Sequence, residues 1–157
     1  MGRQFFNAQD APRTNEAEIF CTIDKRRYTM LNAKSCEATA SVSLADVKRL
    51  GTPITGKKAN GLEVKLKMVV YKCSEMFDDL ITKYKNTGVL PTFEVQMTSN
   101  DPSTSMGRST KTYYDCIIDG DVLLSMADAD GEFIEQTIEA YAMDYSADEK
   151  YKEPSYM

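Results

Sequence analysis

From Ala33 to Leu44 the chain alternates with a period of two. Cys36, Ala38, Ala40, Val42 and Leu44 fall on one side, and Ser35, Glu37, Thr39, Ser41 and Ser43 on the other. Successive side chains of a strand point to opposite faces, so the pattern predicts a long half-buried strand whose apolar side is unusually small. A second run, 62–71, sets Leu62, Val64, Leu66, Met68 and Val70 against Glu63, Lys65 and Lys67. A third, 132–143, sets Ile134, Gln136, Ile138, Ala140 and Ala142 against Phe133, Glu135, Thr137, Glu139 and Tyr141. Shorter strand candidates lie at 17–24, 90–97 and 111–120, the first leading through a Lys-Arg-Arg turn into 28–31.

One segment keeps helical spacing instead. Met76, Phe77, Leu80, Ile81 and Tyr84 make an apolar stripe behind acids in the first turn, with Ser74 placed as N-cap and Gly88 as the stop. The stripe reads as core packing rather than a ligand box. Six or seven strands at hairpin-like spacing with one helix predict a mainly β fold: an antiparallel β-sandwich or barrel with one flanking α-helix and a long inter-strand loop. That loop is Ala45 to Gly61, with three glycines, Pro53 and no period. Structureless connections of this length tend to carry function. The expected organisation is a polar N-terminal arm (1–15), a β domain (16–145) and a polar, mobile C-terminal tail (146–157).

Composition narrows the chemistry. The chain has 157 residues, a net charge of −5 and no histidine. Without imidazole there is no Ser-His-Asp or Cys-His nucleophile system and no His-ligated zinc. The acidic balance argues against nucleic acid as a surface ligand, because phosphate binding needs a basic face. No run reaches the roughly 18 apolar residues of a membrane helix, and 1–12 lacks the apolar core of a signal peptide. Direct membrane insertion is not expected, and folding in the cytoplasm is. The four cysteines, Cys21, Cys36, Cys73 and Cys116, are widely spaced and read as small buried hydrophobes.

Three motifs hint at sites. Gly51 to Lys58, GTPITGKK, stops one residue short of a P-loop, with Lys58 where a magnesium-binding hydroxyl is needed. Neither a buried strand before it nor a helix after it is predicted, so phosphate binding is not expected. Asp128 to Glu132, DADGE, resembles a calcium loop, but its frame puts Met126 and Thr137 where carboxylates belong. The pairs Asp119/Asp121 and Glu135/Glu139 could serve a carboxylate enzyme, although alternating acids on a strand are usually a solvated face. No catalytic residue, metal or cofactor is expected.

Taken in order, the segments resemble a known family. A hairpin (AEIFCTIDKRRYTMLNAKSCEATASV) is followed by the loop GTPITGKKANG and the strand and helix start LEVKLKMVVYKCSEMF. Then come LPTFEVQMTSND, GRSTKTYYDCIIDGDVLLSMADADG and the closing strand EFIEQTIEAYAMDY. Over residues 7 to 150 this is similar to the tail-tube proteins of contractile phages and phage-tail-like bacteriocins, in particular those of PBSX-type defective prophages. The most specific pieces are the G-x-x-x-T-G-x-K loop and GRSTKTYYDCIIDG.

The resemblance implies a structural subunit of the inner tail tube. Six copies form a ring whose sheets join into one barrel around a channel, and rings stack inside a contractile sheath. Implied partners are further copies of the chain, a sheath protein, and baseplate and tail-terminator proteins. The implied location is the bacterial cytoplasm during assembly, then a virion tail or released extracellular particle. In such proteins the long loop reaches the adjacent ring, which makes Lys48, Arg49, Leu50, Gly51, Ile54, Gly56, Lys57 and Lys58 the expected contact residues. Lys48, Arg49, Lys57 and Lys58 would meet acidic surface on a neighbouring copy, or serve only to keep an exposed loop in solution. Glu37, Glu135 and Glu139 are the candidate lumen-facing acids, forming a negative wall. The alternatives are a tube protein of a type VI-like secretion system and, in a different class, a small carboxylate-dependent enzyme.

Overall fold

The computed structural model describes residues 2–157. In chain order the elements are β1 (Ala17–Ile23), β2 (Arg26–Thr29), β3 (Ala33–Val47), β4 (Gly56–Tyr71), α1 (Met76–Thr87), β5 (Phe93–Asn100), β6 (Arg108–Ile118), β7 (Glu135–Ala142) and β8 (Asp144–Glu149). The strands run in the spatial order β2-β1-β5-β6-β7-β4-β3, and β8 lies on the free side of β6. All the pairings are antiparallel.

Strand β6 makes a sandwich out of this order by serving two sheets. Its first part lies between β5 and β8, with Thr112 opposite Gln96 on one side and Ser146 on the other. Its last residues, Ile117 and Ile118, pair with Tyr141 and Ala140 of β7. The register runs unbroken from Tyr114–Asp144 to Ile117–Tyr141, so β7 and β8 form one ladder bent at Met143, whose N–H still donates to the Tyr114 carbonyl at 3.0 Å. Asp115 supplies the matching bend in β6. It holds φ at 50°, a left-handed conformation that Asp tolerates better than most side chains. The β5–β6 register also slips there, between Phe93 and Val95. An extra residue in one strand of a pair turns the strand and sharpens its twist.

Between the two layers lies one apolar cluster. Cys21, Val95 and Tyr113 reach it from one sheet, and Leu66, Met68 and Ile138 from the other. Burial pushes the Cys21 and Cys116 thiols up to about 12, which keeps them neutral. Helix α1 adds Met76, Phe77 and Leu80. Phe77 packs edge-on against Phe93 with ring centroids 5.7 Å apart. Gly88 ends the helix at φ 77°, donating to the Tyr84 carbonyl at 2.8 Å.

Several local expectations change. The first hairpin turns at Asp24 and Lys25, both at positive φ, so Arg26 and Arg27 belong to β2. There they lie over the rings of Tyr28 and Phe20. Ser74 precedes the helix by one residue more than a cap would: Glu75 holds the cap position, and the Ser74 hydroxyl accepts only a long 3.4 Å bond from Met76 N. Tyr84, read as part of the buried stripe, is exposed. Cys73 is exposed too, unlike Cys21 and Cys116.

Both termini are tied to the domain, the polar arm as well as the tail expected to be mobile. β8 runs across the anticipated boundary at 145/146. Beyond it, the Tyr151 hydroxyl donates to Ser99 Oγ at 3.0 Å and Lys152 N donates to the Met106 carbonyl at 2.9 Å. Two buried carboxylates clasp both ends to the loop at 101–107. Asp10 accepts from Ser105 N (2.9 Å), Ser105 Oγ (2.8 Å) and the Tyr156 hydroxyl (2.7 Å). Asp101 accepts from Arg13 N, Nε and an η nitrogen at 3.0–3.1 Å, and from Ser103 N and Oγ. A buried carboxylate is tolerated when its oxygens are this fully bonded.

Two outcomes follow from the packing. Phe77→Ala removes a ring that is 1% exposed and is expected to cost about 3–5 kcal/mol in urea denaturation. The Arg13 guanidinium and the Ser103 donors hold the Asp101 carboxyl well below the usual carboxylate range, and the Ser105 N–H and the Tyr156 and Ser105 hydroxyls lower that of Asp10. A lowered folded-state pKa stabilises above the unfolded value of about 3.9 and loses that stabilisation as pH falls through the folded value. Hydrogen exchange, corrected for intrinsic rates, is therefore expected to show the arm and tail protected at neutral pH and released only below about pH 4. Asp101→Asn should release the arm at neutral pH as well.

Candidate assembly surface

The segment expected to be a loop is mostly strand. β3 continues to Val47 and β4 begins at Gly56, so the register includes Ala45–Lys58, Asp46–Lys57 and Val47–Gly56. Glycine, lysine and asparagine are poor strand formers, which is why the region carries no strand signal. The ladder forms nonetheless, helped by a cross-strand ion pair between Lys57 and Asp46. Asn60-Gly61, which resembles a turn, is a bulge instead. The register slips between Ser43–Gly61 and Leu44–Ala59, which leaves Asn60 as the extra residue.

Only 48–55 remains as the hairpin tip. Gly51 sits there at φ 83°, the left-handed region that favours glycine. At Gly56 a Cβ would lie 3.2 Å from the Val47 carbonyl oxygen and 3.3 Å from Arg49 Nε, so any other residue would crowd the closing strands by a few tenths of an ångström. Arg49 caps the turn by donating to the Ile54 carbonyl at 3.2 Å. Of the eight predicted contact residues, Lys48, Arg49, Leu50, Gly51 and Ile54 are thus in the tip, and Gly56, Lys57 and Lys58 are in β4. The strand after GTPITGKK also removes the helix N-terminus that a phosphate site would use.

Burial along β4 shows where the subunit ends. On its apolar side Val70 is 1% exposed, Met68 3%, Leu66 4% and Val64 8%; the next residue, Leu62, is 57% exposed. Its cross-strand partner Val42 is 60% exposed, and Leu44, Leu50 and Ile54 are exposed as well. From Val42 outward the hairpin therefore projects by about 20 Å, six residues of strand, and on this side Val42, Leu44 and Leu62 are covered by none of the described residues before the Asp46–Lys57 pair is reached. Val42, Leu44 and Leu62 escaped the sequence reading because their alternation looks the same whether or not a second layer lies over it. The other edge of β3 is also unpaired, so the longest edge strand offers free N–H and C=O groups to another chain.

The opposite face of the same sheet carries the candidate acids. Glu37 lies opposite Lys67, which lies opposite Glu139, giving an acid–base–acid row across three strands. Lys65 approaches Glu139 at 3.9 Å, and Lys34 donates to Glu135 at 3.1 Å. Glu37, Glu135 and Glu139 do share one face, but lysines interleave them, so the face is mixed rather than the expected negative wall. Ser35, Thr39, Ser41, Ser43 and Thr137 lie on it as well, together with Glu63, Val69, Tyr71 and Tyr141.

A protein-family model described as phage tail tube protein matches residues 4–147. The chain is similar to phage-like element PBSX protein XkdM of Bacillus subtilis (strain 168), with 28% identity over 121 residues that cover 77% of this chain and 82% of that one. It is also similar to the uncharacterized protein YqbM of the same strain, at 26% identity over 78% of this chain and 83% of that one. Among solved structures, its fold is shared by a chain of the anti-feeding prophage tube-terminating cap, with a TM-score of 0.64 at 10% identity, covering 91% of this chain and 94% of that one. A chain of the extended PVC sheath–tube complex, an extracellular contractile injection system, gives a TM-score of 0.62 at 10% identity over 88% and 93%. The resemblance carried by the loop and the GRSTKTYYDCIIDG segment is borne out: the chain belongs to the phage tail tube protein family and is a structural subunit of a tail tube.

Proposed function

We propose that six copies of this chain close into a ring and that rings stack into the inner tube of a contractile tail or tail-like particle. The observation that carries this reading is the β3–β4 hairpin, which projects from the core with Val42, Leu44, Leu50, Ile54 and Leu62 uncovered. An apolar stripe continuous with the core but bare of it is the mark of a surface completed by another molecule. Each such side chain contributes about 1.5–3 kcal/mol when removed from water. The free edge of β3 supports sheet-to-sheet joining between neighbours, since edges left open in a monomer are closed in a ring.

The fold's likeness to chains of a sheath–tube complex and a tube-terminating cap supports a sheath and a terminator as further partners, and a baseplate at the other end of the tube follows from the same reading. The hairpin's role is mechanical, and no catalytic step is assigned to the chain. Glu37, Glu135 and Glu139, with Lys65 and Lys67 between them, face the channel in this reading. A wall on which acids and lysines alternate among hydroxyls, Val69 and the rings of Tyr71 and Tyr141 presents a weaker potential than a row of acids alone would. Assembly takes place in the bacterial cytoplasm before the particle is released.

Negative-stain electron microscopy of the concentrated protein is expected to show rings and hollow tubes. A preparation that stays monomeric at every concentration, with no ring or tube, overturns the reading. Val42→Asp with Leu62→Asp changes only exposed side chains of the projecting hairpin, so thermal stability of the monomer should shift little while rings and tubes are lost. Undiminished tubes from that variant would remove the hairpin from the assembly.

A further inference from the structure

The tip of the β3–β4 hairpin has a complementary surface on the same chain, at the far end of β4. Tyr71, the last residue of β4, pairs with Glu135, and the N–H of Lys72 donates to the Ile134 carbonyl at 2.9 Å. The segment 119–134 that leads into β7 therefore sits at the base of the sheet whose other end is the tip. Sixteen residues of β4 separate them, about 50 Å of strand.

The segment contains neither helix nor strand, yet it is held at several points. Lys72, almost buried, bonds both carboxylate oxygens of Asp78 in α1 at 2.8 and 2.9 Å and also donates to the Leu123 carbonyl. Phe133 packs edge-on against Tyr71 with centroids 6.4 Å apart. Met126, Phe133 and Ile134 line an open groove of about 300 Å³, and together with Leu124 they are exposed. Exposed apolar side chains around a groove that none of the described residues fills, on a backbone held at Leu123 and Ile134, form a candidate docking surface.

Charge assigns the occupant. The segment 119–134 carries Asp119, Asp121, Asp128, Asp130 and Glu132 and no Lys or Arg. The hairpin end, 46–58, carries Lys48, Arg49, Lys57 and Lys58 against Asp46 alone. Asp46 is paired with Lys57, and among the described residues Lys48 and Lys58 have no ionic partner. Leu50 and Ile54 at the tip match the apolar groove, and the cations match its acidic rim. Two unlike surfaces at opposite ends of one axis make a head-to-tail contact, which repeats without closing on itself.

We propose that the 48–58 tip of one subunit docks on the 119–134 groove of a subunit in the next ring, with Leu50 and Ile54 in the groove and Lys48, Lys57 and Lys58 against Asp128, Asp130 and Glu132. This rests on the stacked-ring reading and adds the acceptor to it. The contact gives the tube its polarity: one end of the stack always shows free tips and the other free grooves.

A charge swap tests the assignment, with thermal melting used to verify that each variant folds. Lys57→Glu with Lys58→Glu is expected to leave single rings and abolish tubes in electron micrographs. Adding Asp128→Lys and Asp130→Lys to the same chain should restore tubes. Tubes that survive the first pair, or rings that stay unstacked after the second, overturn the docking while leaving the ring reading intact. If the unaltered protein forms neither rings nor tubes, the stacked-ring reading fails and this proposal fails with it. As an independent measurement, Leu50→Cys and Met126→Cys in one chain, in a Cys73→Ser background, should give a ladder of disulfide-linked oligomers on oxidation of assembled tubes. Each cysteine alone should give no ladder, and a double variant whose tubes remain monomeric after oxidation overturns the contact.

Discussion

An apolar stripe on β4 cannot face water along its whole length, and the subunit covers it only from Val64 to Val70. The cover comes from the β5–β6 layer and α1, which are stapled to the first sheet by the shared strand β6. Outward from Leu62 the second layer stops while the ladder between β3 and β4 continues to Val47–Gly56. The subunit thus buries the stripe in one half and leaves it exposed in the other. Both properties come from one continuous pattern of residues on one pair of strands.

Backbone irregularities direct where each half points. Asp115 and Met143 bend paired strands at the same level, letting β6 leave one sheet and enter the other without losing its register to β7–β8. Asn60 bulges β4 where the hairpin leaves the core. A bulge increases local twist, so the projecting half need not stay coplanar with the covered half. Gly51 and Gly56 then close the tip where a side chain would be strained or crowded.

Charge is handled locally wherever the chain can do so. Lys67 stands between Glu37 and Glu139 across three strands, Lys65 also approaches Glu139, and both oxygens of buried Asp10 and of buried Asp101 accept hydrogen bonds. At the two ends of the long sheet the charge is of one sign, basic at 48–58 and acidic at 119–132. In a chain of net charge −5, that separation is the charge pattern on which the proposed head-to-tail contact rests.

The alternating runs determined the fold class, the single helix and the face shared by Glu37, Glu135 and Glu139, because side-chain period and strand geometry are the same quantity. The eight residues that the resemblance names as expected contacts fall in one hairpin because they are close together in the chain. Strand pairing decided the rest. Residues 45–47 and 56–61 lack strand propensity and became strand because a partner lay opposite, which no local window can register. The tail became β8 and a clasp because Asp10, Asp101 and their donors, distant in sequence, meet in space. The boundary between core and assembly surface at Val64–Leu62 exists only in three dimensions, since two residues of identical pattern differ by what lies above them.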